Sequence, residues 1–512
     1  MTRVPTTQDL ESSVHLAAQS AAEHVLALMI AWSADEPHRA GEVALFEMEG
    51  SARVLGRGEG PSGERVQFGW RRPGSVRATS SLDSPRVSRD QLRITPLRGK
   101  LHVERVGRCA TLVRGEKVDV AELAPGETLV LRGQVVLYCT MRPAVPTPLH
   151  TFPADALGEP GEPDHLGLLG ESPAMWALRD RLAFHAKTGA HTLILGPSGA
   201  GKELCARGIH ELSPRATGPF VARNAATLPS GLVDAELFGN AKNYPNPGMP
   251  ERPGLVGAAH GGTLFLDEIG ELPASLHANL LRLLDDGSEY HRLGEAVSRR
   301  ADLRLIGATN RAPESLKHDL LARFSMRLPV PGLDERRDDI PLLIRHLLRR
   351  ALVKSPELVG RFARPNGEVR VSGALVEHLM HRPYTTHVRE LDGLLWRAMS
   401  ESPGDEVSLP ESLAREVRSV GRGGPPSSGP LASEESLRPS RPLPEEEDRV
   451  SFDGGDPERA RLLGALALHN NNLVKTAEAL GLPSRYALYR MLRRHRIDVR
   501  SLRGQPDGSA PE

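Results

Sequence analysis

Short apolar runs separated by Gly, Pro, Asp and Ser turns fill residues 26–142, among them Val43-Ala-Leu-Phe46, Leu92-Arg-Ile-Thr95, Leu101-His-Val103 and Leu129-Val-Leu131. That spacing predicts a β-sandwich. Over 164–340 the pattern changes. Strand-like Thr192-Leu-Ile-Leu195, Thr263-Leu-Phe-Leu266 and Leu303-Arg-Leu-Ile306 alternate with helical periodicity, predicting a parallel α/β sheet. Residues 341–417, rich in Leu, Arg and Glu, read as helical. Over 457–503, Leu462, Leu463, Leu466 and Leu468 give one apolar helix, and Leu473–Leu480 and Ser484–Leu492 give two more around Gly481-Leu-Pro483. Gly481 suits the end of the first of these and Ser484 the cap of the second. The proline-rich stretch 143–163 and the Gly/Pro-rich, acidic stretch 418–456 read as linkers, the second disordered. Residues 1–25 form an N-terminal tail.

The chain has 512 residues, too many for one ordinary domain. Its 65 basic and 65 acidic side chains cancel, which argues against a uniformly basic coat. The zero is an average over opposites, however. Segment 53–108 carries thirteen basic and five acidic residues, 401–456 six and thirteen, and 457–503 ten and three. Positive charge is thus concentrated towards the two ends, where it suits anionic ligands. Cys109, Cys139 and Cys205 have neither disulfide nor metal-ligand spacing. No segment reads as a membrane span or a signal peptide, so the expected location is the cytoplasm.

Gly196-Pro197-Ser198-Gly199-Ala200-Gly201-Lys202 matches the phosphate loop G-x-x-x-x-G-K between an apolar strand and a helix start. Glycines let the backbone wrap a phosphate, the helix N-terminus aims N–H groups at it, and Lys202 neutralises its oxygens. Glu203 stands where a Ser or Thr magnesium ligand is usual. Downstream, strand Leu264-Phe-Leu266 ends in Asp267-Glu268, one carboxylate suited to a metal and the other to polarising water. ATP and Mg²⁺ are the expected ligands.

Residues 168 to about 398 resemble the central AAA+ domain of NtrC-type bacterial enhancer-binding proteins, which act on sigma-54 RNA polymerase. The matching phrases are Gly196–Glu203, Glu236-Leu-Phe-Gly239, Gly261–Gly270, Ala308-Thr-Asn-Arg311 and Val388-Arg-Glu-Leu391. By this resemblance the fold is an α/β ATPase core with a helical lid, and Glu203 is the family's usual residue after the lysine. Asn224 looks like the switch asparagine sensing Glu268, Asn310 like sensor I and Arg389 like sensor II. Arg323 matches an arginine finger that acts across a subunit boundary, implying a homo-oligomeric ring, usually a hexamer. The other finger position holds Lys317, which lacks the planar fork. Where relatives carry Gly-Ala-Phe-Thr-Gly-Ala, the loop that touches sigma-54, this chain has Asn243-Tyr-Pro-Asn-Pro-Gly248. Its prolines predict a broken helical stem.

Leu55-Gly-Arg57 and Val87-Ser-Arg89 resemble the phosphothreonine-binding loops of forkhead-associated (FHA) domains, which implies that Arg57, Ser88 and Arg89 meet a phosphoprotein. Gln91 replaces the family histidine, and Cys109-Ala110 an Asn-Gly pair. The C-terminal unit resembles a Fis-type helix-turn-helix, implying that Ser484, Arg485, Tyr486 and Arg490 face DNA bases while Arg493, Arg494 and Arg496 meet phosphates. The chain is therefore expected to be multidomain: an FHA-like sandwich, an AAA+ ATPase and a DNA-binding module in a transcriptional regulator. Two alternatives stay open: a regulator that no longer contacts sigma-54, and a DNA-binding scaffold whose nucleotide site is slow or structural.

Overall fold

The computed structural model describes residues 24–420, apart from 60–63, 230, 274–275 and 286–287, together with Leu480. The helix-turn-helix expected over 457–503, with Ser484, Arg485, Tyr486, Arg490, Arg493 and Arg494, lies outside the described residues, as does the acidic stretch 421–456.

Among the described residues of 24–143 there are twelve strands. They are β1 (His24–Ser33), β2 (Val43–Phe46), β3 (Arg53–Leu55), β4 (Gly69–Arg72), β5 (Ser75–Ala78), β6 (Leu92–Leu97), β7 (Lys100–Arg105), β8 (Thr111–Val113), β9 (Glu116–Val118), β10 (Val120–Leu123), β11 (Thr128–Leu131) and β12 (Val135–Pro143). One antiparallel sheet runs β5-β4-β2-β1-β12-β11-β8-β9, and a second runs β10-β7-β6-β3. Their shared core holds Leu26, Leu28, Ile30, Leu92, Ile94, Leu129 and Leu137, all at zero exposure.

The central strand β1 has apolar residues on both faces. Side chains alternate across a strand, so Leu26, Leu28 and Ile30 enter the sandwich while Ala27, Met29 and Ala31 point the other way. That second face is also buried, in one continuous core with Leu342, Leu347, Leu375 and Leu379 of the helical region. Polar contacts fix the same interface. The Trp32 indole N–H donates to the Val371 carbonyl at 2.7 Å, and Arg364 donates to the Ala34 carbonyl at 2.9 Å. Arg142 pairs with Asp338 at 2.8 Å. Gly373 lies so close to the Trp32 ring that a Cβ there would come within 2.8 Å of it. The sandwich and the ATPase-like region therefore share a core. The 143–163 connection is laid against it too: Phe152 and Ala156 are buried beside Leu166 and Leu182.

The α/β region builds a parallel sheet from β13 (Thr192–Leu195), β14 (Phe220–Asn224), β15 (Thr263–Asp267), β18 (Arg304–Thr309) and β19 (Met326–Pro329). Its order is β14-β15-β18-β13-β19, and a small hairpin, β16 (Glu289–Tyr290) with β17 (Arg299–Arg300), stands apart. Helices α1 (Pro173–Thr188), α2 (Lys202–Glu211), α3 (Val233–Phe238), α4 (Gly254–Ala258), α5 (His277–Leu284) and α6 (His318–Arg323) accompany it. Ser172 caps α1 by accepting from the Met175 N–H, and Gly189 ends it in the left-handed conformation. Five helices follow: α7 (Ile340–Lys354), α8 (Pro356–Val359), α9 (Gly373–His381), α10 (His387–Glu401) and α11 (Glu411–Val420). No helix among the described residues is long and apolar enough to cross a membrane.

Buried Arg304 donates to the carbonyls of Ala186 and His185 and to the Thr192 hydroxyl. Nearby, burial first and then this guanidinium hold the His185 and His191 imidazoles down at about 4. Both folded values lie below the unfolded value of about 6.5, so the unfolded chain takes up these protons first. The stability from neutral histidines is present above pH 6.5 and lost as pH falls towards 4, at no more than about 1.4 kcal/mol per pH unit for each group. His191 Nδ1 accepts from the Leu305 N–H at 3.0 Å, a role an amide oxygen can take. His191→Asn should therefore show a smaller drop in Tm between pH 7 and pH 5 than the parent. An equal drop in thermal melts at the two pH values would refute this assignment.

Candidate functional site

The turn after β13 carries Gly196–Gly201 into α2. Gly199 and Gly201 have φ of +77° and +104°, a region glycine enters without steric cost. A Cβ on Gly199 would also lie 2.2 Å from the Thr386 carbonyl oxygen. Lys202 opens α2 and is 6% exposed. Its ammonium donates to the carbonyls of Gly196 at 3.0 Å and Pro197 at 3.3 Å, and Glu268 Oε1 lies 4.0 Å away. The lysine is thus folded back over its own loop.

The neighbouring strands deliver the rest. β14 and β15 pair in parallel with Asn224 opposite Asp267, so the asparagine and the acidic pair leave the sheet at the same edge, as does the loop after β13. Ligands of open parallel sheets sit beyond the carboxyl ends of the strands. The Glu268 backbone takes a left-handed φ of +51°, uncommon for a residue with a Cβ, and its N–H donates to Asp267 Oδ1 at 3.0 Å. Asn224 Oδ1 accepts from the Ala226 N–H.

The helical region closes the site from above. The Val388 N–H at the start of α10 donates to the Gly199 carbonyl at 3.2 Å, and Arg389 donates to the Ser198 hydroxyl at 3.3 Å. Between these parts lies a cavity of about 490 Å³, lined by Ser198–Cys205, Asn224, Asp267, Glu268 and Arg389. Residues that motif spacing did not single out complete it: Leu168, Leu169, Met175, Leu343, Leu347 and the buried Arg336. Arg336 donates to the carbonyls of Leu169 and Ala200. Apolar side chains on one side and phosphate-loop chemistry on the other suit a molecule with a flat ring and an anionic tail.

Two expected residues, Asn310 and Arg323, stand apart from the cavity, while Glu203 lines it with its side chain tied to a neighbour on the same helix. Glu203 pairs with Arg207 one helical turn on, and both are well exposed. Asn310 follows β18 and is exposed, outside the residues lining the cavity. Arg323 is half-exposed at the end of α6 and pairs with Asp285 at 2.5 Å.

The segment between α3 and α4 is not helical. Buried Asn240 organises it by donating to the carbonyls of Ala241 and Pro250. Asn243 takes a left-handed φ of +65° and its Oδ1 accepts from the Gly248 N–H at 2.9 Å. Tyr244 lies on Gly294 in the connection between β16 and β17, close enough to exclude any side chain there.

In the sandwich, the Arg57 N–H donates to the Ser88 carbonyl at 3.0 Å, joining the two loops expected to hold a phosphate. Gln91 is fully buried. Its Oε1 accepts from the N–H groups of Ser88 and Cys109 and its amide donates to the Cys109 carbonyl. Ser88 Oγ accepts from the Arg108 N–H at 3.0 Å. Arg65 pairs with Asp90, whereas Arg57, Arg89 and Arg108 have no carboxylate partner among the described residues.

A family model described as the Sigma-54 interaction domain matches residues 168–330. The response regulator protein PilR of Pseudomonas aeruginosa is 35% identical over 331 residues, 63% of this chain and 68% of that protein. The DNA-binding transcriptional regulator NtrC of Rhizobium meliloti is 33% identical over 359 residues, 66% and 71% of the two chains. A Nif-specific regulatory protein of Bradyrhizobium diazoefficiens is 38% identical over 249 residues, 47% of this chain but only 41% of that protein's length. Among solved structures, NtrX from Brucella abortus in complex with ADP is similar at 28% identity with a TM-score of 0.41, covering 65% of this chain and 69% of that one. The extent of the PilR and NtrC matches, with the phosphate loop and acidic pair inside the matched domain, shows that the chain belongs to the family of sigma-54-interacting AAA+ transcriptional regulators.

Proposed function

We propose that this protein is an ATP-hydrolysing transcriptional regulator that works as a ring on sigma-54 RNA polymerase. The observation that carries this is the convergence of Lys202, Asp267, Glu268, Asn224 and Arg389 on one cavity from four separate segments. In this reading the Gly196–Gly201 amides and Lys202 bind the phosphates, and Glu268 orients the attacking water. Asn224, which lines the same cavity, acts as the switch asparagine that senses Glu268. Asp267 is the residue that would hold Mg²⁺, since only its Oδ1 is used by a neighbouring N–H; the ion would neutralise phosphate charge. Arg389, carried on α10, links the phosphate loop to the helical lid. Arg323 pairs with Asp285 in the single chain, and in a ring it exchanges that partner for a neighbouring subunit's nucleotide, with Asn310 as sensor I.

At the two ends, Arg57 and Arg89, without a carboxylate partner among the described residues, support an FHA-like phosphopeptide site with Ser88, and the basic residues of 457–503 support DNA binding. Gln91 takes the tethering place of the family histidine through its bonds to Ser88 and Cys109. A second reading rests on the Asn243–Gly248 turn, which replaces the family's loop sequence and lays the base of Tyr244 on Gly294: the motor would then act without touching sigma-54.

In vitro transcription with purified sigma-54 and primary-sigma polymerases separates these readings. The first expects transcripts that require both sigma-54 and hydrolysable ATP. Nucleotide turnover at assembling concentrations with no sigma-54-dependent transcript would leave only the second. No turnover at all would overturn both in favour of a scaffold.

A further inference from the structure

A second cavity, of about 250 Å³, lies between the sandwich and the start of the α/β region. Its wall is mostly apolar, with Trp70 and Val43 from the sandwich, Pro146 and Pro148 from the connection, and Trp176 and Ala177 from α1. Five charged side chains also reach it, and their pairing is unequal. Glu171 is taken by Arg72 at 2.5 Å and also accepts from the Gly161 N–H. Asp180 Oδ1 accepts from the N–H groups of His150, Thr151 and Phe152. Arg142 is held by Asp338 and the Glu171 carbonyl. Arg71 and Arg181 line the cavity with no partner among the described residues. Glu171 is thus committed to Arg72 and Asp180 to three N–H groups through one oxygen, while two guanidiniums are uncommitted, and three arginines against two carboxylates leave the lining with an excess of positive charge. In addition, the Trp176 indole N–H is buried without an acceptor, and Trp176 is 8% exposed.

We propose that this cavity binds a small, planar, largely apolar monoanion, its flat body between Trp70 and Trp176 and its charge on Arg71. Two indole rings in a proline-rich wall favour a flat apolar body over a sugar or a bare phosphate. A guanidinium fork matches a carboxylate in shape and charge. Such a ligand would bridge the sandwich and the nucleotide-binding core. It would also sit one helix from the nucleotide cavity, because α1 turns Met175 and Leu178 towards that site and Trp176 and Ala177 towards this one.

The test is isothermal titration of the full chain with cinnamate, a planar apolar monoanion, and with cinnamyl alcohol, its uncharged counterpart. Cinnamate is expected to bind saturably at one site per chain, and the alcohol about tenfold more weakly or less. Arg71→Ala should weaken cinnamate by a similar factor and leaves no buried partner stranded, so folding is retained. Ala177→Phe, which fills the cavity from an exposed helix position, should abolish binding with the melting temperature unchanged. Absence of saturable cinnamate binding, or binding that survives both substitutions, would overturn the proposal.

Discussion

Glu268→Gln is expected to lower ATP turnover by about 10² to 10⁴-fold while nucleotide still binds, because the substitution keeps shape and removes the base. Glu268 sits on a strained turn at the end of β15, held by the bond from its own N–H to Asp267 and 4.0 Å from the Lys202 ammonium. The amide loses the charge of the Lys202 contact, but Lys202 stays held by the Gly196 and Pro197 carbonyls and the backbone bond to Asp267 is untouched, so the loop should stay in place. In the proposed reading phosphate affinity resides in Lys202 and the loop amides, which the change leaves in the sequence. Steady-state turnover and equilibrium binding of a fluorescent ATP analogue read the two properties separately. Turnover within about threefold of the parent would remove Glu268 from the chemistry.

The largest expected stability effect lies one shell away. Arg179→Ala should destabilise the protein by about 3–5 kcal/mol, the usual cost of breaking a fully buried ion pair. Arg179 and Asp164 are 3% and 2% exposed and 2.7 Å apart. The same guanidinium donates to the carbonyls of Gly170 at 2.8 Å and Leu168 at 2.9 Å, and lies 4.5 Å above the Trp176 ring. Its removal strands a buried carboxylate and two carbonyls. Because Leu168 and Leu169 line the nucleotide cavity, nucleotide affinity should fall as well. Arg179→Lys keeps the charge but cannot reach three acceptors in one plane, so it should recover only part of the loss. Urea denaturation followed by tryptophan fluorescence measures the effect, and a change below about 1 kcal/mol would show the pair to be dispensable.

The parts of the nucleotide site that motif reading found are those whose chemistry is contiguous in the chain. A phosphate loop needs its glycines and lysine side by side, and a strand ending in two acids is likewise local, so Gly196–Lys202 and Asp267-Glu268 could be named from spacing alone. Asn224 and Arg389 came from the family resemblance and share the cavity with them. Arg336 and the apolar wall of Met175, Leu343 and Leu347 carry no motif, because any buried helix face has the same composition. Gln91 looked like the loss of a functional histidine. Its amide, however, makes bonds to Ser88 and Cys109 that hold the loops together.

The sequence by itself determined the order of the units, the identity of the phosphate loop and the placing of basic charge towards the ends. The tertiary structure alone decided what the second face of β1 meets. A strand buried on both sides reads as one apolar run, and His24–Ser33 carries no mark of which partner lies on which face. That partner, the helical region from Leu342 to Leu379, is some three hundred residues away. Its arrival turns a sandwich that looked like a separate sensor into one wall of the ATPase-like body. Local chemistry is written in adjacent residues, whereas the pairing of two apolar faces depends only on their shapes once folded.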